Sequence, residues 1–269
     1  MLKFISFGSG SSGNCYLLCA DDNILMIDAG IDLRKLRTYF DNYGINATHI
    51  HNLLLTHDHI DHVKAAGAIS QTWHIDVHAT SKVHNAIDNN RRLSAKINTP
   101  HVHHIRHNIP FDLGAFHITP FDVPHDSHTN TGYRIEYEGS VFCLVTDIGH
   151  ITPTIIEHLQ GVEHLVVEAN YDPQMLLHGR YPYFLKQRIT GPTGHLSNNE
   201  TARLIGECCS AKLRNVWLCH LSEENNTPET ALTTVKDMLQ NNAFQKYPNM
   251  TIRALYRQKP TGFFEIFNF

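Results

Sequence analysis

Four residues of metal-binding type stand close together early in the chain. His57, His59, Asp61 and His62 place three imidazoles and a carboxylate within six residues, directly after the apolar run Leu53-Leu54-Leu55. Imidazole and carboxylate are the ligands that suit zinc and neighbouring divalent metals. Ligands packed this tightly wrap a single ion poorly. Two ions side by side fit better, with His57 and His59 on one and Asp61 and His62 on the other. Further ligands are expected where strands end, because a rigid strand positions the loop residue that follows it. Four residues meet that condition: His125 after 116–123, Asp147 after 141–145, Glu168 after 165–167 and His220 after 216–219.

The elements that must hold these residues read as strands alternating with helices. Residues 2–6, 15–19 and 24–28 read as strands, with the small-residue turn 8–14 between the first two. A helix is expected at about 32–43, a strand at 52–55 and a helix from 63. Strands are expected at 77–79, 102–105, 115–121, 131–137, 141–145, 164–167 and 215–218, with closing strands at 251–255 and 263–267. Thr152-Pro153 and Thr227-Pro228 read as helix starts, and Ser197-Asn198-Asn199-Glu200 reads as a capping box for a helix to about 209. The pattern predicts an α/β chain of two sheets packed together with helices outside.

Composition narrows the class. The chain has 269 residues, enough for a sizeable core, and 42% hydrophobic against 18% charged residues reads as soluble and globular. A net charge of −4 argues against a chain that binds nucleic acid through overall basicity. No apolar run approaches the length of a membrane span. The N-terminal residues lack a signal-peptide layout, so a cytoplasmic location is expected. Cys15, Cys19, Cys143, Cys208, Cys209 and Cys219 form no C-x-x-C pair and read as reduced, packed thiols. Most of the 21 histidines cannot be ligands. The dense cluster 101–107 fits a strand with one solvated face, and His49 and His51 read as surface groups.

The order H-x-H-x-D-H, then His125, Asp147 and His220, resembles the metallo-β-lactamase superfamily over nearly the whole chain. The resemblance implies a four-layer αββα sandwich, in one domain over 1–269. It also implies two divalent ions, Zn or Mn. His57, His59 and His125 would hold the first ion and Asp61, His62 and His220 the second, with Asp147 bridging. Ser9-Gly10-Ser11-Ser12-Gly13-Asn14, Glu168-Ala169-Asn170-Tyr171-Asp172, Gly194-His195-Leu196-Ser197-Asn198 and the run from Cys219 to Asn226 are similar to the YycJ/WalJ group of metallohydrolases. That group is related to the tRNA 3′-processing and β-CASP nucleases. The resemblance implies that Glu168 and His195 assist phosphodiester cleavage, with Asp61 counted among the catalytic groups as well as the ligands. It implies a 5′-to-3′ DNA exonuclease; the alternatives are an RNA-processing nuclease and a small-ester or thioester hydrolase.

Substrate contact is expected in two basic stretches. A short insert at about 171–193 holds Arg180, Lys186 and Arg188 among Tyr181, Tyr183 and Phe184, with no acid from 173 to 199. Cations interleaved with aromatics suit a nucleic-acid strand. Lys82, Arg91, Arg92, Lys96 and Arg106 form the second stretch. Asn14, in the 8–14 turn, is expected to contact phosphate. Nucleic acid is the expected partner, with no membrane and no obligate protein partner.

Overall fold

Short aliphatic runs bounded by turn residues form the strands of this chain, and amphipathic stretches between them form the helices. The computed structural model describes residues 1–208, 210–240 and 250–266. They fall into two compact units. One comprises Met1–His117, Ser127–Thr129 and the chain from Tyr256 onward; the other comprises Ile118–Asp126 and Asn130–Leu255.

The sheet of the first unit starts antiparallel, with β1 (Leu2–Gly8), β2 (Cys15–Ala20) and β3 (Asn23–Ile27). It continues in parallel through β4 (Ile50–Leu54), β5 (Asp76–Thr80) and β6 (Val102–Ile105). Connection length explains the change. Turns join the first three strands, whereas parallel neighbours need crossovers. The helices α1 (Leu33–Tyr43), α2 (Ile60–Val63), α3 (Ala66–Trp73) and α4 (Ser81–Asn89) lie in those crossovers. Asp32 caps α1 by accepting from the Arg34 N–H, and Gly44 ends it at φ 64°, a backbone that glycine adopts freely. Leu36 and Phe40 of α1 pack with Phe7, Leu17, Met26 and Leu53 of the sheet. Truncating Leu53 to Ala would cost about 2–5 kcal/mol. β7 (Phe111–Leu113) is a short strand further along.

On β8 (Phe116–Val123) the chain passes into the second unit. Its strands β9 (Asn130–Tyr137) and β10 (Ser140–Val145) form a two-residue hairpin. Glu138 and Gly139 both have positive φ there, as the tight hairpin turn demands. From β10 the sheet is parallel, through β11 (His164–Glu168), β12 (Asn215–Cys219) and β13 (Thr251–Ala254). Leu165-Val166-Val167 and Val216-Trp217-Leu218 are wholly buried, as strands covered on both faces must be. Around them run α5 (Pro153–Leu159), α6 (Pro173–His178), α7 (Tyr183–Thr190), α8 (Asn198–Cys208) and α9 (Pro228–Leu239). Thr152 and Thr227 cap α5 and α9, with Pro at the first helical position, as their sequences predict. The capping box of α8 also forms. Ser197 Oγ accepts from the Glu200 N–H at 3.3 Å, and Glu200 accepts from the Ser197 N–H at 3.0 Å. β14 (Phe264–Ile266) returns antiparallel to β1.

The expected α/β class therefore holds. Five elements depart from expectation: α2 starts at Ile60 instead of 63, α4 and β7 were not anticipated, and the insert holds two short helices, α6 and α7. Cys15, Cys19, Cys143, Cys208 and Cys219 are buried free thiols, and burial, partly offset by Lys3, pushes Cys19 up to about 12. Cys209 and residue 267 lie outside the described residues. Among the described residues no helix is long and apolar enough to cross a membrane.

One buried base gives the second unit a pH dependence. Burial, and then the charge of Arg214, lower His164 to about 4 from an ordinary 6.5. The unfolded chain binds this proton first as pH falls, so stability is intact above about pH 6.5 and declines toward pH 4. The shift corresponds to about 3 kcal/mol. Urea unfolding across that window should show the decline, and His164→Gln should flatten it. An unchanged slope in the variant would assign the acid sensitivity to other groups.

Candidate metal centre

In the first unit the candidate ligands leave the end of β4. Leu55 N–H donates to the His78 carbonyl at 3.0 Å, and Thr56 N–H donates to Asp28 Oδ1 at 2.9 Å. Asp28 follows β3 and takes a left-handed backbone, φ 58°. Its Oδ2 lies 2.7 Å from His62 Nδ1, so that nitrogen carries the proton and donates. Thr56 Oγ1 donates to Asp28 at 3.0 Å and is 3.0 Å from His57 Nδ1, which therefore donates to it. Both imidazoles are thereby fixed as tautomers with the lone pair on Nε2, the form that ligates a metal, and at His62 that lone pair faces the Asn14 amide. Their ring centroids are 4.1 Å apart, and that of His59 is 4.7 Å from that of His57. Asp61 and His62 lie within α2, whose first turn favours the Asp61 carboxylate.

Asn14 holds this loop from below. Its N–H donates to the Asp61 carbonyl at 2.7 Å, and its side-chain amide donates to the same oxygen at 3.2 Å and to His62 Nε2 at 2.9 Å. A Cβ on Gly30 would overlap the Asp61 carbonyl oxygen, so only glycine permits the approach. Asn14 is fully buried. Its side-chain amide is engaged with Gly10, Asp61 and His62.

In the second unit the parallel strands β10, β11 and β12 end on one edge, which delivers Asp147, Glu168 and His220 together. One ligating atom each from Asp147, Glu168, His195 and His220 lies within 4.8 Å of the others. His195 Nδ1 is 2.7 Å and His220 Nδ1 is 3.1 Å from Glu168 Oε1. Glu168 Oε2 accepts the N–H groups of Ile148 at 2.8 Å and Leu196 at 3.0 Å. Burial pushes the Glu168 carboxyl up, but the charge of His195 and the hydrogen bonds from His195 and His220 outweigh it, and the net shift is downward. His125 Nε2 is 3.6 Å from Asp147 Oδ1, and its Nδ1 donates to the Gly194 carbonyl at 3.1 Å. His125 and His220 thus also present Nε2.

Asp147 and His220 hold left-handed backbones, φ 55° and 52°. Such conformations cost free energy in residues other than glycine and concentrate at functional sites. Neighbouring amides secure them: Asn130 donates to the carbonyls of Thr146 and Asp147, and Asn170 donates to that of His220 at 2.8 Å. Asp28, Thr56, Asn130 and Asn170 are supporting residues that the sequence reading missed. Asp28 carried the same signal as Asp147, an acid just after an aliphatic strand.

His195 is largely buried and Arg180 is exposed. Lys186 Nζ donates to the Leu177 carbonyl at 2.7 Å, and Arg188 pairs with Asp126 at 2.5 Å. Tyr183 and Phe184 are 74% and 72% exposed, an unusual display for aromatics in a folded chain. The amino end of α8 beside His195 is closed by its own capping box. In the 101–107 cluster His101 and His103 pair with Asp76, and among the described residues no three ligating atoms there come together.

Comparison with known proteins identifies the family. A family model described as β-lactamase superfamily domain matches residues 23–220. The exodeoxyribonuclease WalJ of Streptococcus pneumoniae is 30% identical over 237 residues, 88% of each chain. The exodeoxyribonuclease YycJ of Bacillus anthracis is 28% identical over 255 residues, 90% of this chain and 91% of that one. The crystal structure of the metallo-β-lactamase fold protein YhfI from Bacillus subtilis superposes with a TM-score of 0.70 at 17% identity, covering 97% of this chain and 99% of that one. The chain therefore belongs to the β-lactamase superfamily, as a metallohydrolase of the metallo-β-lactamase fold in the group of YycJ and WalJ.

Proposed function

We propose that this chain is a dinuclear metal-dependent phosphodiesterase that shortens DNA strands from the 5′ end. The observation that carries the reading is the Glu168–His195 pair, 2.7 Å long, beside Asp147 and His220 yet outside the seven-residue ligand order. Attack on the phosphorus of a phosphodiester breaks a P–O bond and expels an alkoxide, which needs a proton, and a carboxylate-held imidazole can deliver one. The relatives named exodeoxyribonuclease support DNA as substrate.

The donor set fits two divalent ions. His57, His59 and His125 would hold one, Asp61, His62 and His220 the other, and Asp147 both. Four of these imidazoles have Nδ1 placed to donate to a protein acceptor, which puts the lone pair on Nε2; His62 would exchange the Asn14 amide for a metal there. Zn and Mn both suit such ligands. When bound, the ions supply Lewis acidity toward phosphate oxygens and a nucleophile at neutral pH. Asp61 is counted with the catalytic groups as well as the ligands. Glu168 orients His195 through Nδ1, and His195 moves the proton at Nε2. The whole of 1–269 acts as one functional domain, in the cytoplasm, where the buried thiols stay reduced.

The direct test offers end-labelled DNA, end-labelled RNA, a small phosphodiester and a thioester to protein loaded with Mn or Zn. Stepwise loss of DNA from the 5′ end is expected. Turnover of RNA alone, or of a thioester alone, would replace the reading by one of its two rivals.

The insert supplies the substrate surface in this account, with Arg180, Lys186 and Arg188 set among the exposed Tyr183 and Phe184. Neutralising all three cations should raise the KM for DNA roughly tenfold. It should also flatten the salt dependence by about 0.7 for each phosphate that no longer meets a cation. Two of these cations already have protein partners, so most of the effect should fall on Arg180. Equal losses on DNA and on a small phosphodiester would assign the cations a structural role instead.

A further inference from the structure

A polar groove of about 450 Å³ in the first unit contains none of the candidate ligands described above. Its walls are one face of α4 together with Asp58 and His128. Lys82, Asn85 and Asn89 follow one another at three and four residues, so they share one stripe of the helix, and all three are exposed. Among the described residues Asp58 is the only acid lining the groove, and His128 engages both its oxygens. The His128 N–H donates to Oδ1 at 3.1 Å, and ring Nδ1 donates to Oδ2 at 2.9 Å. Lys82 is therefore the cation of the groove that stands clear of an acid.

The position of the groove gives it meaning. Asp58 lies between His57 and His59, so one wall belongs to the metal loop itself. Past the far end of α4 the chain exposes Arg91 and Arg92. Lys96, in the same basic stretch, is committed elsewhere: its ammonium donates to the carbonyls of Ile87 at 2.7 Å and Asn90 at 2.6 Å. The structure thus separates cations that brace the fold from cations turned to solvent. The groove holds an ammonium and primary amides, and its one ring, the His128 imidazole, is held by Asp58. Such groups match phosphate and sugar oxygens, and no aromatic platform there stacks on a base.

We infer that this groove is a backbone site for the nucleic-acid strand being cut. Lys82 pairs with a phosphate next to the scissile one; the Asn85 amide, and the one N–H of the Asn89 amide not given to the Asn85 carbonyl, hydrogen-bond neighbouring backbone oxygens. The inference rests on the nuclease reading and adds to it a strand path along α4, indifferent to base sequence.

The test measures binding of a phosphorothioate single-stranded DNA, which resists cleavage, by anisotropy at several salt concentrations. Metal-loaded wild type is compared with Lys82→Glu and with the double variant Asn85→Ala/Asn89→Ala. Lys82→Glu should weaken binding roughly fivefold or more at low salt and reduce the slope of log K against log salt by about 0.7. The double variant should weaken binding with the slope unchanged, because no charge is removed. Thermal midpoints of both should match wild type, since these side chains are exposed. Wild-type affinity and slope in Lys82→Glu, with DNA still bound and cut by the wild type, would overturn the inference alone. A wild type that neither binds nor cuts DNA or RNA would overturn the nuclease reading, and the inference with it.

Discussion

Asp147→Asn is expected to leave at most one metal ion in place and to lower phosphodiester hydrolysis by well over about 10²-fold, the upper end of what loss of a partner outside the ligand shell costs. In the proposed site Asp147 would serve both ions, and its charge would offset their mutual repulsion; an amide has none to offer. The substitution is close to neutral for the backbone. Asp147 sits at φ 55°, and Asn tolerates that conformation as well as Asp does. Asn130 anchors the carbonyls of Thr146 and Asp147, whatever the side chain at 147. The loss should therefore appear without unfolding, in elemental analysis of dialysed protein and in initial rates. Retention of both ions and most activity would remove Asp147 from the bridging position.

His195→Ala should keep both ions and lose roughly 10²–10⁴-fold in rate, the range of a general acid or base. The loss should shrink on a p-nitrophenyl phosphodiester, whose leaving group needs little protonation. A loss of equal size on that ester would make His195 a phosphate ligand and not a proton donor. Reduced metal content would make it part of the ligand shell. Glu168→Gln should show a smaller loss of the same kind, with an added cost in stability. Glu168 Oε2 accepts two N–H groups, from Ile148 and Leu196. In Gln, either the amide nitrogen faces those donors or it turns toward the His195 and His220 rings. A buried polar group left unmatched costs about 1–3 kcal/mol.

The ligand candidates were legible because residue type and element position coincide. Asp147, Glu168 and His220 each stand where an aliphatic run stops, and the parallel register of β10, β11 and β12 turns that sequence signal into a shared edge. The capping box of α8 was legible because cap chemistry is local. Other features were hidden for physical reasons. α4 buries Val83, His84 and Ile87, and a stripe with so few aliphatic residues reads weakly as a helix. The start of α2 at Ile60 falls inside the ligand run, where the spacing of imidazoles masks helical periodicity. Pairing of Arg188 with Asp126, 62 residues apart, is tertiary and leaves no local trace. The burial of Asn14 is likewise set by Asp61, 47 residues further on. Asp28 is a different case: its signal was present, and only the absence of a ligand motif around it let it pass as the end of a strand.

The central claim, a two-ion phosphodiesterase built on these residues, is tested most directly by titrating metal-free protein with Mn or Zn while following hydrolysis of a small phosphodiester. The account predicts a rate that climbs until two equivalents are bound and then levels, with Asp61→Ala and His220→Ala each abolishing the second equivalent. Full rate at a single equivalent, left unchanged by those two substitutions, would contradict it.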